Sequence, residues 1–195
     1  DSLMKKIEGR RAIWVHAASV GEIVATSPLV KEIKREFPDA VVVVSVVTAT
    51  GHAMAERIIP EAEGIIFFPL DLPVLTRRIL QSIKPISILL VETEIWPNFL
   101  RIAEELKIPV MMVNGRISDR SMKRYRYIKS FTHEMLSSIA RFCMQSKFDA
   151  DYIEQLGAKE ENVTVTGNMK YDQTYATVTA EEKQELLEEF GFHNN

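Results

Sequence analysis

Carboxylates at the ends of apolar runs are the residues of this sequence best suited to chemistry. Ile13-Trp14-Val15-His16 is an apolar, strand-like run that stops at the small-residue turn Ala17-Ala18-Ser19-Val20-Gly21, and Glu22 then opens a helical pattern. In α/β sheets ligands bind outside the carboxyl ends of the strands. A carboxylate in that turn is therefore placed to act as a general base toward a substrate hydroxyl. A helix N-terminus favours its ionised form, which keeps it able to accept a proton while weakening its basicity. The same residues also spell Ser-x-x-Glu, a capping box in which Ser19 caps the helix and Glu22 bonds back to its backbone N–H. Gly21 leans toward a site, since glycine in a first turn costs helix stability unless something must approach the backbone closely.

A second acidic turn, Glu92-Thr93-Glu94-Ile95-Trp96-Pro97-Asn98, follows another apolar run and precedes a helix that Pro97 can start. It falls at the same sheet edge as Glu22. The bland alternative is a pair of solvated charges with Trp96 as a core plug. A third feature, Asn114-Gly115-Arg116, leads into a basic stretch from Asp119 to Lys129 in which Arg and Lys alternate with Tyr125 and Tyr127. Such a stretch suits phosphate groups or an anionic membrane surface, or it is simply a solvated helix face. His16, at the end of its strand, either contacts a ligand or is a satisfied edge histidine. His52, His133 and His193 have no evident partners in the sequence.

Other chemistries lack their signatures. The first strand-to-helix turn has one glycine rather than GxGxxG, and no GxxxxGK followed by Ser or Thr occurs, so dinucleotide or ATP binding is not expected. There is no paired His, Cys cluster or Asp-x-Asp, so neither a metal nor another cofactor is expected. A net charge of −3 and a pI near 5.9 provide no global field for nucleic acid, which is not an expected partner. The single cysteine, Cys143, cannot form an internal disulfide and sits in the apolar run Phe142-Cys143-Met144, which predicts a buried thiol and fits a reducing cytoplasm. No apolar run approaches the ~18 residues needed to span a bilayer, and no signal peptide precedes the first strand. The chain starts at Asp1 without a methionine, which suggests that something has been removed.

The elements that must position these turns follow a βαβα rhythm. Strands are predicted over 12–16, 40–47, 64–68, 86–91, 110–113, 141–144 and 163–166, and helices over 23–37, 50–59, 72–82, 97–106, 121–140 and 147–156. Val41-Val42-Val43-Val44 and Ile86-Ser87-Ile88-Leu89-Leu90 are nearly continuous apolar runs, so both faces of a parallel sheet are expected to be buried. The fold class is thus α/β, a Rossmann-like parallel sheet with helices on both faces. After Thr166 the texture turns polar, and an acidic helix over 180–190 ends the sequence without another strand, as in the first half of a longer protein.

Four segments together resemble the amino-terminal half of the Kdo transferases, which attach 3-deoxy-D-manno-octulosonic acid to lipid A precursors in Gram-negative bacteria. They are residues 16–22, 92–98, 114–116 and Gly167-Asn168-Met169-Lys170, in that order within 14–172. The resemblance implies a GT-B glycosyltransferase with two Rossmann-like domains across a cleft: an acceptor domain here over 1–172, and a linker and helix over 173–195 leading toward a donor domain absent from this sequence. It matches Glu22 to the proposed base and Glu92 to the second acidic residue tied to activity. His16, Ser19, Gly21, Glu94, Asn114, Arg116, Asn168 and Lys170 become acceptor-binding candidates. The implied partners are a lipid A precursor, CMP-Kdo held mainly by the other domain, and the anionic cytoplasmic face of the inner membrane. An isolated acceptor half should be inactive, being a truncated or proteolysed piece. A nucleotide-sugar epimerase of the same architecture, and a non-catalytic anion-binding, membrane-peripheral module in which residues 19–22 are a plain cap, are the rival readings.

Overall fold

Valine and isoleucine runs form strands because their branched side chains pack well on a pleated surface, and here they pack on both faces. The computed structural model describes residues 2–118 and 129–172. Among these, β1 (Ala12–His16), β2 (Val41–Val46), β3 (Gly64–Phe67), β4 (Ser87–Val91), β5 (Val110–Gly115), β6 (Ile139–Met144) and β7 (Val163–Val165) form one sheet. All its neighbouring strands are parallel, in the order β3-β2-β1-β4-β5-β6-β7. The helices are α1 (Ser2–Ile7), α2 (Val20–Glu36), α3 (Ala49–Ile58), α4 (Pro73–Ile83), α5 (Pro97–Glu105), α6 (Lys129–Ser137) and α7 (Lys147–Gln155), with 3-10 turns at Glu160–Asn162 and Met169–Asp172.

Alternation along the strands divides the core into two layers. Trp14, Val43, Ile88, Leu90 and Phe142 face Leu80 of α4, Phe99 of α5, Leu136 of α6 and Ile153 of α7. Val15, Val44 and Val91 face Ile23 and Val30 of α2 and Ala55 of α3. Each such large side chain, once fully buried, contributes about 1.5–3 kcal/mol, so central strands with no polar face are the stable solution. The predicted parallel sheet, covered on both faces, is what forms.

Differences lie at boundaries. The predicted helix over 121–140 is helical from Lys129 to Ser137, but Ile139 and Ala140 belong to β6, because Ile139 is buried in the Trp14 layer and only Ser138 separates helix from strand. The earlier part of that prediction, and the basic stretch 119–128, lie outside the described residues, as does the predicted helix over 180–190. Asn114 and Gly115 extend β5 beyond the predicted 110–113. Helix α1 has no counterpart in the sequence reading, being too short for a periodic signal; it docks through buried Ile7 and a 2.8 Å hydrogen bond from Lys6 Nζ to the Glu63 carbonyl. Cys143 is half-buried rather than a core thiol, and burial raises its pKa.

Candidate functional site

The chain runs from β1 outward through β2 and β3, then returns to β4 and runs outward the other way. Connections leaving in opposite directions open a crevice at the carboxyl ends of the two central strands. Glu22 follows β1, while Glu92 and Glu94 follow β4. The two acidic turns, 70 residues apart from Glu22 to Glu92, are therefore brought together at the one reversal of the sheet.

The turn after β1 is a formed capping box. Ser19 is the N-cap of α2, with extended backbone, and its Oγ accepts the Glu22 N–H at 3.2 Å. The reciprocal arm differs from the expected one. Glu22 Oε2 accepts the N–H of Ala18, not Ser19, at 2.8 Å, and Oε1 accepts the Ser19 hydroxyl at 2.7 Å. Each carboxylate oxygen thus takes one donor and keeps a further acceptor direction. Gly21 is under no steric demand from the chain: a Cβ there would meet only Ser19 Oγ, at 4.0 Å.

Glu92 leaves β4 with φ +59, a left-handed conformation unusual for a residue with a long side chain, while its N–H stays in the ladder by donating to the Val113 carbonyl at 2.9 Å. Strain of this kind is found where surrounding structure over-determines a functional residue. Burial raises the pKa of Glu92, the Glu22 charge raises it further, and the charges of Lys170 and Arg116 oppose both. Lys170 Nζ stands 3.7 Å from Glu92 Oε1. Glu94 is raised in the same direction, first by burial and then by Glu22, against a 3.0 Å hydrogen bond donated by Trp96 Nε1 to its Oε2. The Glu22 charge therefore acts on both carboxylates of the second turn, and Arg116, just after β5, and Lys170 of the last turn act on Glu92.

Several candidates hold the site together rather than line it. His16 is wholly buried, stacked on Phe68 with ring centroids 4.0 Å apart, so it offers no exposed contact to a ligand. Burial lowers its pKa to about 4, partly offset by the Ser45 carbonyl, which can accept from Nδ1 when the ring is charged. It is neutral near pH 7, and its 4.0 Å approach to Glu94 is not an ion pair there. Asn114, also buried and at φ +54, accepts the Met169 N–H on Oδ1 at 3.0 Å and tethers the segment 167–172 to β5. Asn168 Oδ1 accepts the Lys170 N–H at 2.9 Å, an Asx turn that presents Lys170. Thr93 Oγ1 donates to the Arg116 carbonyl and ties the β4 and β5 turns.

Two contributors escaped the sequence reading. Asp71, in the connection from β3, accepts the N–H groups of Asn98 and Phe99 at 3.1 and 2.8 Å, and so caps α5, whose own N-cap Trp96 supplies no side-chain bond. Ser45 of β2 bonds both Trp14 and His16. Neither carries a local signal: one reads as a turn acid, the other as a polar interruption in a valine run. Among the described residues no three His, Cys, Asp or Glu side chains are placed to hold a metal.

A family model described as 3-deoxy-D-manno-octulosonic-acid transferase (kdotransferase) matches residues 2–173. A bifunctional glycosyltransferase/methyltransferase of Fusobacterium nucleatum is 38% identical over 183 residues, which are 90% of this chain and 28% of that protein. The 3-deoxy-D-manno-octulosonic acid transferase of Haemophilus influenzae is 33% identical over 162 residues, 83% of this chain and 38% of that one. The chain thus spans about two fifths or less of the length of these relatives. Among solved structures, a UDP-GlcNAc 2-epimerase from Neisseria meningitidis bound to UDP-GlcNAc has a TM-score of 0.62 at 13% identity, over 95% of this chain and 55% of that one. A glycosyltransferase from Rickettsia africae has a TM-score of 0.63 at 13% identity, over 96% and 51%. At that identity the likeness is one of fold, the Rossmann-like half of a GT-B protein, and the epimerases carry no weight for chemistry. The match over residues 2–173 and the identity to the Haemophilus enzyme make this chain a member of the 3-deoxy-D-manno-octulosonic-acid transferase (kdotransferase) family, within its amino-terminal domain.

Proposed function

We propose that this chain is the acceptor-binding half of an inverting glycosyltransferase that moves Kdo from CMP-Kdo to a hydroxyl of a lipid A precursor, with Glu22 as the base. The observation that carries the reading is the meeting of Glu22 with Glu92 and Glu94 at the β1/β4 reversal in a chain of this family. The acceptor oxygen attacks the anomeric carbon, the bond from that carbon to the CMP phosphate breaks with its electron pair leaving on CMP, and the hydroxyl proton passes to Glu22. Glu92 stabilises the positive charge that develops on the sugar. CMP is a stable leaving group, so the scheme needs no metal. Ser19, Gly21, Glu94, Arg116 and Lys170 contact the acceptor, while His16, Asn114 and Asn168 position them. The donor is held mainly by a second domain, and this half alone is expected to be inactive.

We further place the protein at the cytoplasmic face of the inner membrane. Leu70, Leu72, Val74 and Leu75 crowd the connection from β3 into α4 with 72, 53, 76 and 42% of their surface exposed, at the same sheet edge as the site. Arg77 and Arg78 follow on α4. Exposed apolar clusters rimmed by charge mark surfaces that another phase covers, and this one supports an anionic lipid surface as partner.

Glu22→Gln in the full-length protein separates base from cap, because glutamine also satisfies a capping box. Transfer should fall by roughly 10²–10⁴-fold with the thermal midpoint nearly unchanged. Unaltered transfer would leave Glu22 with the cap alone.

A further inference from the structure

Ser45 stands directly opposite His16 in the β1–β2 ladder, on the Trp14 side of the sheet, and both are wholly buried. Trp14 Nε1–H, which can only donate, gives its proton to Ser45 Oγ at 2.7 Å. The same oxygen lies 2.9 Å from His16 Nδ1. The Ser45 carbonyl is farther from that nitrogen, at 3.2 Å, and already accepts the Ala17 N–H at 3.0 Å. With the indole occupying one acceptor face of Oγ, the hydroxyl proton is available to give, and His16 Nδ1 is the acceptor in reach. An Nδ1 that accepts leaves the single proton of a neutral imidazole on Nε2. His16 Nε2 is buried, has no hydrogen-bond partner among the described residues, and lies 4.0 Å from Glu94 Oε2. The other tautomer would set a bare lone pair against the carboxylate.

We propose that Ser45 is a positioning residue. By donating to His16 Nδ1 it fixes the Nε2–H tautomer, and that N–H, beside the Trp96 indole N–H on Glu94 Oε2, holds the Glu94 carboxylate in the orientation that meets the acceptor. The 4.0 Å separation is longer than a hydrogen bond, so in the empty site the N–H attracts the carboxylate, and the contact closes when the acceptor loads. The chain Trp14–Ser45–His16 thus carries orientation from the core to Glu94 through groups that never touch substrate.

The tautomer does not depend on the acceptor reading, whereas the effect on catalysis rests on it, so the two are tested apart. Long-range ¹⁵N correlation of the imidazole nitrogens in this chain near pH 7, with the His16 signal assigned by His16→Gln, should show protonated Nε2 and bare Nδ1. Ser45→Ala should move the pattern toward protonated Nδ1 or a mixture, and Ser45→Thr, which keeps the hydroxyl, should preserve it. A wild-type proton on Nδ1, or a pattern unmoved in Ser45→Ala, overturns the proposal. Should Ser45→Ala not fold, Ser45→Val, which matches threonine in shape and suits the valine run of β2, also removes the hydroxyl, and an unchanged tautomer there is equally fatal. In the full-length protein Ser45→Ala should lower kcat/KM by roughly ten- to a hundredfold, the scale of displacing a group in a site by about an ångström. The acid limb of its pH profile should shift upward, because Glu94 without the N–H keeps its proton to higher pH. An expected tautomer with an unmoved pH profile overturns the positioning role. Absence of transfer by the wild-type protein sinks the acceptor reading instead, and leaves the tautomer result standing.

Discussion

At Glu22 the cap leaves room for the proposed base. The cap takes one acceptor position on each oxygen, from Ser19 and Ala18, and leaves the remaining lone pairs for a hydroxyl. Its charge is felt at Glu92 and Glu94, both raised above the usual carboxylate range. For Glu92 the sign of the pH dependence follows. The folded chain binds that proton more tightly than the unfolded chain, so the stability Glu92 contributes is greatest below the ordinary carboxylate pKa. It falls as pH rises from that value through the raised one. Glu92→Gln stays neutral throughout, and its thermal midpoint should fall less steeply than the wild type's as pH rises from the ordinary glutamate pKa of about 4.3. Equal slopes in the two proteins would show that Glu92 is not perturbed by its neighbours.

Elements, more than residues, decide which acids become a site. Among the described residues, Ser-x-x-acid begins a helix twice. In α7, Ser146 caps the helix and Asp149 bonds back to the Ser146 hydroxyl, as Glu22 does to Ser19. Yet Asp149 gives its other oxygen to the Ile117 N–H at 2.8 Å and is buried against backbone, while Glu22 faces two further carboxylates. The spacing is identical; the difference is that β1 lies beside β4 at the reversal, whereas β6 lies between β5 and β7. Helix α5 adds a second case, capped from outside by Asp71 instead of by its own N-cap. Asp71→Ala should cost about 1–2 kcal/mol in urea denaturation, the worth of a lost helix cap. It should also disturb the Glu92–Trp96 turn that α5 anchors. A loss near zero would mean that water replaces the carboxylate at no cost.

At the scale of the whole molecule, a net charge of −3 conceals a directional surface. The sheet gathers the carboxylates, Lys170 and Arg116 at one edge, and the connection from β3 places its apolar side chains along that same edge. An acceptor with acyl chains in a bilayer and its sugar in water would meet both features at once. Leu70→Glu with Val74→Glu should reduce co-sedimentation of the full-length protein with vesicles containing anionic lipid, while leaving its thermal midpoint near that of the wild type, since neither side chain is in the core. Retained sedimentation would assign membrane contact to another surface.

The sequence by itself determined the parallel α/β sheet, the strand-to-helix turns at its edge and the acids in them, because those follow from local patterns: continuous apolar strands, 3.6-residue periodicity, prolines at helix starts. The resemblance carried by residues 16–22, 92–98, 114–116 and 167–170 pointed to the family. Tertiary structure alone decided what each polar residue of those motifs does. His16 proved wholly buried and Asn114 a tether, because strand pairing set one against Ser45 and Phe68 and the other against Met169. Asp71 became the cap of α5 and Ser45 the partner of His16 through contacts 27 and 29 residues away. Hydrogen bonds across such separations depend on the order of strands in the sheet, and no window along the chain contains that order.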